Sequence, residues 1–270
     1  MIAWGDPGPI RAALAHLAEH GWARLGRVAG DDALAALRGR ADDLMLGRLR
    51  VDGLFFQPDS PTGDYGDLAF GRGWIGPSLD YRKLEKLELD DRFRALVAAP
   101  LFEQISRAAI PGDIAIYRAA LFAKAAGGGT ELPWHQDGGR FWGLDRDPTL
   151  QIWLALDEAP VESGCVEVLP GSHQGGLATP DGGNVPAALV AAARAEQRAL
   201  ALPAVAGEVL LLHNHTWHRS RRNATGRARR AVTICYMSAD TRCLRTRRAP
   251  RVFHRPFAGL RAPLVSGLDR

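Results

Sequence analysis

The stretch Trp134-His135-Gln136-Asp137, inside the segment 131–137, decides how this chain is read. The segment is short and bounded by turn formers, as a β-strand is. Side chains alternate between the two faces of a strand, so His135 and Asp137, two apart, share one face. An imidazole and a carboxylate on one face can each give a ligand atom to the same divalent ion. A later cluster, His213, His215 and His218, leads into Trp217-His218-Arg219-Ser220. One His from it, on a neighbouring strand, completes a 2-His-1-carboxylate set, which holds non-heme Fe(II) with positions open for oxygen chemistry. His213 and His215 share a strand face by period 2 and His218 lies past them. The residues alone leave the third ligand open among the three.

Working outward, everything from Asp113 onward reads as short strands. The first lies around Ile114, Ile116 and Leu121-Phe122, and others follow at 131–137, 149–156, 164–169, 207–213 and 229–237. The earlier part reads as helices. An amphipathic helix at 8–21 carries Ile10, Leu14, Leu17 and Ala18, and a short strand follows at Trp22–Leu25. Asp31 is placed to cap a second helix through Leu34, Leu37 and Ala41 to Leu44. A third runs from Asp91 to about Ile105, with Phe93, Leu96, Val97, Leu101 and Ile105 as its apolar stripe. Helices first and strands after predict a mainly β double-stranded β-helix, or jelly roll, with an N-terminal helical layer. With no linker or internal repeat, residues 1–270 read as one domain. Pro180 to Pro203 reads as an insertion holding a helix at 186–197. Residues 50–80, rich in Gly, Pro and aromatics (Phe55, Phe56, Tyr65, Phe70, Trp74), read as a long loop, and loops of that length commonly serve function.

Composition excludes several classes. The chain has 270 residues, 46% hydrophobic and 24% charged, with a net charge of +4 carried almost wholly by Arg. The basic run Arg219 to Arg230 comes without any helix-turn-helix, RNA-recognition or zinc-finger pattern, so nucleic acid is not the expected partner. No apolar run is long enough to span a bilayer, and the first residues lack the layout of a secretory signal. Cys165, Cys235 and Cys243 are too few and scattered for a disulfide framework. A reducing cytoplasm, no membrane and a small-molecule substrate are the expectation. His16 and His20, at i, i+4 on the first helix, have no third ligand and read as surface residues. His173, in Leu169-Pro170-Gly171-Ser172-His173, reads as a hydrogen-bonding turn residue.

Five ordered blocks then resemble the phytanoyl-CoA dioxygenase (PhyH) family. They are Trp134-His135-Gln136-Asp137; Leu150-Gln151-Ile152-Trp153-Leu154-Ala155-Leu156; the run from Glu162 through Gly164-Cys165-Val166-Glu167-Val168 to His173; Gly207-Glu208-Val209-Leu210-Leu211; and His218-Arg219-Ser220 through Asn223-Ala224-Thr225 to Arg229-Arg230-Ala231. The resemblance runs over roughly 113–237, with a similar helix–strand segment at 8–29. It implies a jelly-roll dioxygenase using Fe(II), 2-oxoglutarate and O2, with His135, Asp137 and His218 as metal ligands. It further implies that Arg229 pairs with the distal carboxylate of 2-oxoglutarate, and that Ser220, Trp153 and Tyr117 line the co-substrate pocket. A planar guanidinium suits a carboxylate better than an ammonium does. Along the last strand Arg229, Ala231 and Thr233 share a face, and Arg230, the second candidate for the carboxylate, points the other way. Lys124 matches a family Lys near a strand end, and a surface role is the plain alternative.

The implied reaction decarboxylates 2-oxoglutarate to succinate and CO2 while a substrate carbon is oxidised. Related halogenases have a small residue where Asp137 stands, so hydroxylation, or a related desaturation, cyclisation or epoxidation, is expected. A cupin-like metal protein without 2-oxoglutarate is the other class; Arg229 and Ser220 argue against it. Walls for the substrate are sought in 50–80 as a lid, in Gly139-Arg140-Phe141-Trp142, and in 178–203.

Overall fold

The computed structural model describes residues 7–69, 73–245 and 251–258. The chain opens with helix α1 (Pro7–His20), strand β1 (Trp22–Arg27) and helix α2 (Asp31–Met45). Strands β2 (Phe55–Pro58) and β3 (Tyr81–Glu85) precede helices α3 (Asp91–Val97) and α4 (Pro100–Ala109). The β-rich part follows: β4 (Ile114–Lys124), β5 (Leu132–Gln136), β6 (Leu150–Ala155), β7 (Val166–Val168) and β8 (Gly183–Asn184). Two short helices, α5 (Ala187–Ala192) and α6 (Ala195–Arg198), lead to β9 (Leu200–Leu202), β10 (Glu208–Leu212), β11 (His218–Ser220) and β12 (Arg229–Ser238).

The strands form two antiparallel sheets, ordered β1-β10-β6-β12-β4-β3-β2 and β8-β5-β11-β7-β9. This is the two-sheet jelly roll that helices-then-strands predicts. Alternation explains both cores. Ile152, Leu154, Val209, Leu211, Val232 and Ile234 face outward to the helical layer, packing with Leu34, Leu44, Phe93 and Ile105. Their neighbours Trp153, Ala155, Leu210, Leu212 and Ala231 face inward, against Cys165, Val166, Val168 and Leu202 of the smaller sheet. Strands buried on both faces are apolar almost throughout, which is why β6 and β10 show no polar alternation. Each fully buried Leu, Ile or Val contributes about 1.5–3 kcal/mol by leaving water. Among the described residues no helix is long and apolar enough to cross a membrane.

Several local expectations need correction. The helix expected over 91–105 is two helices, because Pro100 has no N–H to give and disfavours helical backbone at Ala99. Asp90 caps the first of them by accepting from Arg92 N and Phe93 N. Asp31 lies in the first turn of α2 and does not cap it; Gly30 holds that position without a side-chain bond. The helix expected at 186–197 is split at Arg194, whose backbone is left-handed (φ 49). Residues 50–80 are not a plain loop: β2 pairs with β3 at the edge of the large sheet. Arg50 lies 3.5 Å from the Trp74 ring centre, and the Tyr81 hydroxyl bonds Ile75 N and Gly76 O. Phe70 is outside the described residues.

Candidate metal centre and anion pocket

His135 lies directly opposite His218 in the β5–β11 pairing, and their rings are 4.0 Å apart. Asp137 follows one residue past the end of β5, its N–H held by the Asn214 carbonyl. The three residues each bring one ligand atom into a group whose members lie within 4.8 Å of one another. It is the one such cluster of three or more His, Cys, Asp or Glu found among the described residues.

The surroundings leave these side chains able to act as ligands. His135 Nδ1 is 2.9 Å from Pro133 O, and His218 Nδ1 is 2.9 Å from Thr216 O. Donation from Nδ1 to a carbonyl fixes the ring and leaves Nε2 with a free lone pair. Burial, and next the neighbouring His218, push His135 down to about 3, so its imidazole is neutral as a ligand must be. Burial alone would raise Asp137. Arg118 and the two His outweigh it and hold the carboxyl at about 2. Gln151 Nε2 (2.8 Å) and Arg118 Nη2 (3.2 Å) both donate to Asp137 Oδ2.

The other clustered His point elsewhere. Strand β10 stops at Leu212, so His213 and His215 lie in a turn and do not share a strand face as the period-2 reading expects. His215 Nε2 is 2.9 Å from Asp147, whose carboxylate also accepts from Gly139 N, and His213 Nδ1 accepts from His215 N. His173 bonds Ala18 O across to the first helix.

Arg229 sits at the start of β12, beside the cavity that the metal cluster lines. It is 4% exposed, and among the described residues no carboxylate lies within ion-pair distance of it. Its Nη2 donates to Gly164 O at 2.5 Å, while Nε is buried without a partner. Burial lowers its pKa to about 10, so it stays charged at neutral pH. A buried cation without a counter-ion is costly. An anion placed in the cavity could pair with it. Arg230 faces the other way and is fully engaged by Asp157 and Asp42.

Ser220 and Trp153 line the same cavity as Arg229. Tyr117 does not; it stacks on Trp142 with ring centres 4.1 Å apart. Lys124 is buried, not on the surface, and donates to Thr130 O (2.5 Å) and Ser220 O (3.4 Å). Burial first, then Arg229, lowers it to about 6. Arg118 and Gln151 escaped the sequence reading. Gln151 had a signal: it is the one polar residue in an otherwise apolar strand, and buried polar groups need a reason.

Gly164 makes a local prediction. Its φ of +69 lies in the left-handed region, and a Cβ there would overlap the Arg221 carbonyl oxygen. Gly164→Ala should therefore cost about 1–3 kcal/mol in strain and displace the carbonyl that orients Arg229. A fall in melting temperature with unchanged iron content is the expected reading. An unaltered melting curve would show that the turn tolerates a side chain.

With the geometry in place, the family model of phytanoyl-CoA dioxygenase (PhyH) matches residues 17–231. The chain belongs to the phytanoyl-CoA dioxygenase (PhyH) family. The PhyH match takes in every residue of the metal cluster and ends at Ala231, early in β12. Phytanoyl-CoA dioxygenase domain-containing protein 1 of Bos taurus is 27% identical over 159 residues, covering 56% of this chain and 54% of that protein. The chain thus spans about half the length of the curated relatives it matches. Among solved structures, the epimerase SnoN in complex with Fe3+, α-ketoglutarate and nogalamycin RO superposes with a TM-score of 0.70 at 19% identity, covering 94% of this chain and 97% of that one. EctD from S. alaskensis with 2-oxoglutarate and 5-hydroxyectoine gives a TM-score of 0.69 at 21% identity, covering 92% and 84%. Both share the jelly-roll fold of this PhyH member.

Proposed function

We propose that this PhyH-family chain is an Fe(II)- and 2-oxoglutarate-dependent oxygenase that hydroxylates a small-molecule metabolite at an unactivated carbon. The observation that carries the reading is Arg229, buried and without a carboxylate among the described residues, beside a cavity lined by two His and an Asp. His135, Asp137 and His218 fit the iron: two nitrogen donors and one oxygen donor leave positions open for other ligands. When bound, iron supplies the oxidation that couples loss of CO2 from 2-oxoglutarate to attack on a substrate C–H bond.

The chain's own groups do the rest. Arg229, oriented by Gly164 O, receives the distal carboxylate of 2-oxoglutarate, with Ser220 and Trp153 as walls. The Pro133 and Thr216 carbonyls fix the two imidazoles. Gln151 and Arg118 keep Asp137 ionised and aimed. A metal protein that ignored 2-oxoglutarate would leave Arg229 a buried charge without purpose.

A different oxidative outcome at the same site has one observation in its favour, since SnoN is an α-ketoglutarate-dependent epimerase of the same fold. The test of the main reading is succinate release from 2-oxoglutarate with Fe(II) and O2, against metal-free protein. Release that needs both iron and 2-oxoglutarate supports it. No 2-oxoglutarate consumption, even with a panel of metabolites present, would sink it.

A further inference from the structure

Each histidine of the metal cluster has a neighbour whose side chain points the other way. Trp134 precedes His135 and Arg219 follows His218, so alternation sends both behind the small sheet. The pairing of β5 with β11 is faulted at this level. His218 faces His135 and Ser220 faces Leu132, so Pro133 and Trp134 together oppose the single residue Arg219. Two residues against one make a β-bulge, which re-aims the side chains beside it. The bulge also supplies the acceptor that fixes a ligand, because Pro133 O lies 2.9 Å from His135 Nδ1. How Trp134 is held therefore bears on how His135 is aimed.

What holds Trp134 comes from the insertion at 178–203. The break at Arg194 separates α5 from α6, and Ala195 just after it is fully buried, packed with Trp134, Leu169 and Val185. The next residue, Glu196, lies over the bulge. Its Oε1 accepts from Trp134 Nε1 at 3.0 Å and from Arg219 Nη1 at 2.5 Å, and its Oε2 accepts from the same Nη1 at 2.7 Å. The Arg219 guanidinium lies 4.6 Å from the Trp134 ring centre, and its Nε and Nη2 donate to Glu167 of β7. One exposed carboxylate thus ties β5 to β11 from behind, beside both imidazoles. Surface ion pairs usually contribute little. Here both donors are buried, and among the described residues Trp134 Nε1 has no other acceptor. Removing Glu196 leaves that N–H without a partner, which a buried donor tolerates poorly.

We propose that Glu196 is a positioning residue for the metal site: from outside the cavity it holds the Trp134 bulge against Arg219 and so fixes how the His135 and His218 rings stand to one another. The proposal rests on the reading of His135, Asp137 and His218 as metal ligands and is independent of 2-oxoglutarate. It gives the insertion a task other than walling a substrate. The effect reaches His135 through Trp134 and the Pro133 carbonyl, and His218 through Arg219. With the two ring centres 4.0 Å apart, a small turn of either ring changes where its free nitrogen points.

The test titrates Co(II), a divalent probe whose visible bands report ligand geometry, into metal-free protein under anaerobic conditions. Glu196→Ala should weaken Co(II) binding roughly tenfold, the low end of what loss of an outer partner costs, and should shift the visible bands. Trp134→Phe keeps a ring under Arg219 but removes the N–H, and should reproduce the band shift. Glu196→Gln keeps the Oε1 acceptor that both donors share, and should restore most of the affinity and the unaltered spectrum. Arg230→Ala is the contrast: it loosens the helical side of the large sheet and should leave the spectrum unchanged. Unchanged affinity and spectrum in Glu196→Ala would overturn the proposal, even with a lowered melting temperature. So would a Glu196→Gln variant as impaired as Glu196→Ala. Should Glu196→Ala fail to fold, the Trp134→Phe spectrum decides in the same way. Unaltered protein that binds no Co(II) would sink the metal reading and this proposal with it. Normal binding by unaltered protein, with no effect of the variants, sinks this proposal alone.

Discussion

Arg229→Ala raises the 2-oxoglutarate concentration needed for half-maximal succinate release by a factor of roughly 30 or more. Removing one partner of a buried, hydrogen-bonded charge pair costs about 2–5 kcal/mol, and 1.4 kcal/mol is tenfold. The effect should be specific to the ligand: among the described residues Arg229 donates to the Gly164 carbonyl and leaves Nε without a partner, so little protein structure there depends on its charge. Arg229→Lys should be impaired as well, since an ammonium is a point charge that cannot reproduce the planar fork. Arg230→Ala is the contrast. Its guanidinium holds Asp157 through two nitrogens and Asp42 through the third, joining β12 to α2. Its loss should lower the melting temperature while the 2-oxoglutarate requirement stays unchanged. Binding isotherms of both variants decide the matter, and equal weakening in the two would mean that Arg229 is not the carboxylate site.

The inward face of β12 was legible in the sequence because alternation along a regular strand is a strong constraint. Arg229 and Thr233 line the cavity while Arg230 turns to Asp157, as period 2 requires. The two-sheet fold was legible for the same reason, through short apolar segments separated by turn formers. What escaped detection depends on breaks in periodicity. Tyr117, expected by resemblance to line the co-substrate pocket, stacks instead on Trp142, and the β4 bulge beside it turns Arg118 to the same face. Arg118 is seen as an interior residue only once that bulge is known, because strict alternation from Ile114 or Ile116 would put it outward. The expected face for His213 and His215 failed because the strand ends at Leu212, and strand ends depend on tertiary pairing more than on local pattern. The Asp90 cap was missed although the residue type is typical, because Asp91 beside it offers the same side chain.

His218→Ala should reduce bound iron from about one per chain to near zero, because it removes one of only three protein donors. The geometry ranks the neighbouring substitutions beneath it. Gln151→Leu leaves all three donors but frees Asp137 Oδ2 from a 2.8 Å hydrogen bond. Loss of such an outer partner typically weakens metal binding roughly 10–100-fold. His215→Ala removes the partner of Asp147, which in turn holds Gly139 N two residues past Asp137. It should therefore cost thermal stability and leave iron nearly stoichiometric, and His213→Ala should do the same. Metal analysis after anaerobic loading and dialysis, with the melting temperature measured with and without Fe(II), reads all four variants. The unaltered protein should gain stability from iron by mass action, and His218→Ala should gain none. Iron retained by His218→Ala but lost from His215→Ala would move the third ligand into the 213–215 turn. His215 Nε2 lies 2.9 Å from Asp147 and the residue is outside the group of His135, Asp137 and His218, so that outcome would require the turn to rearrange.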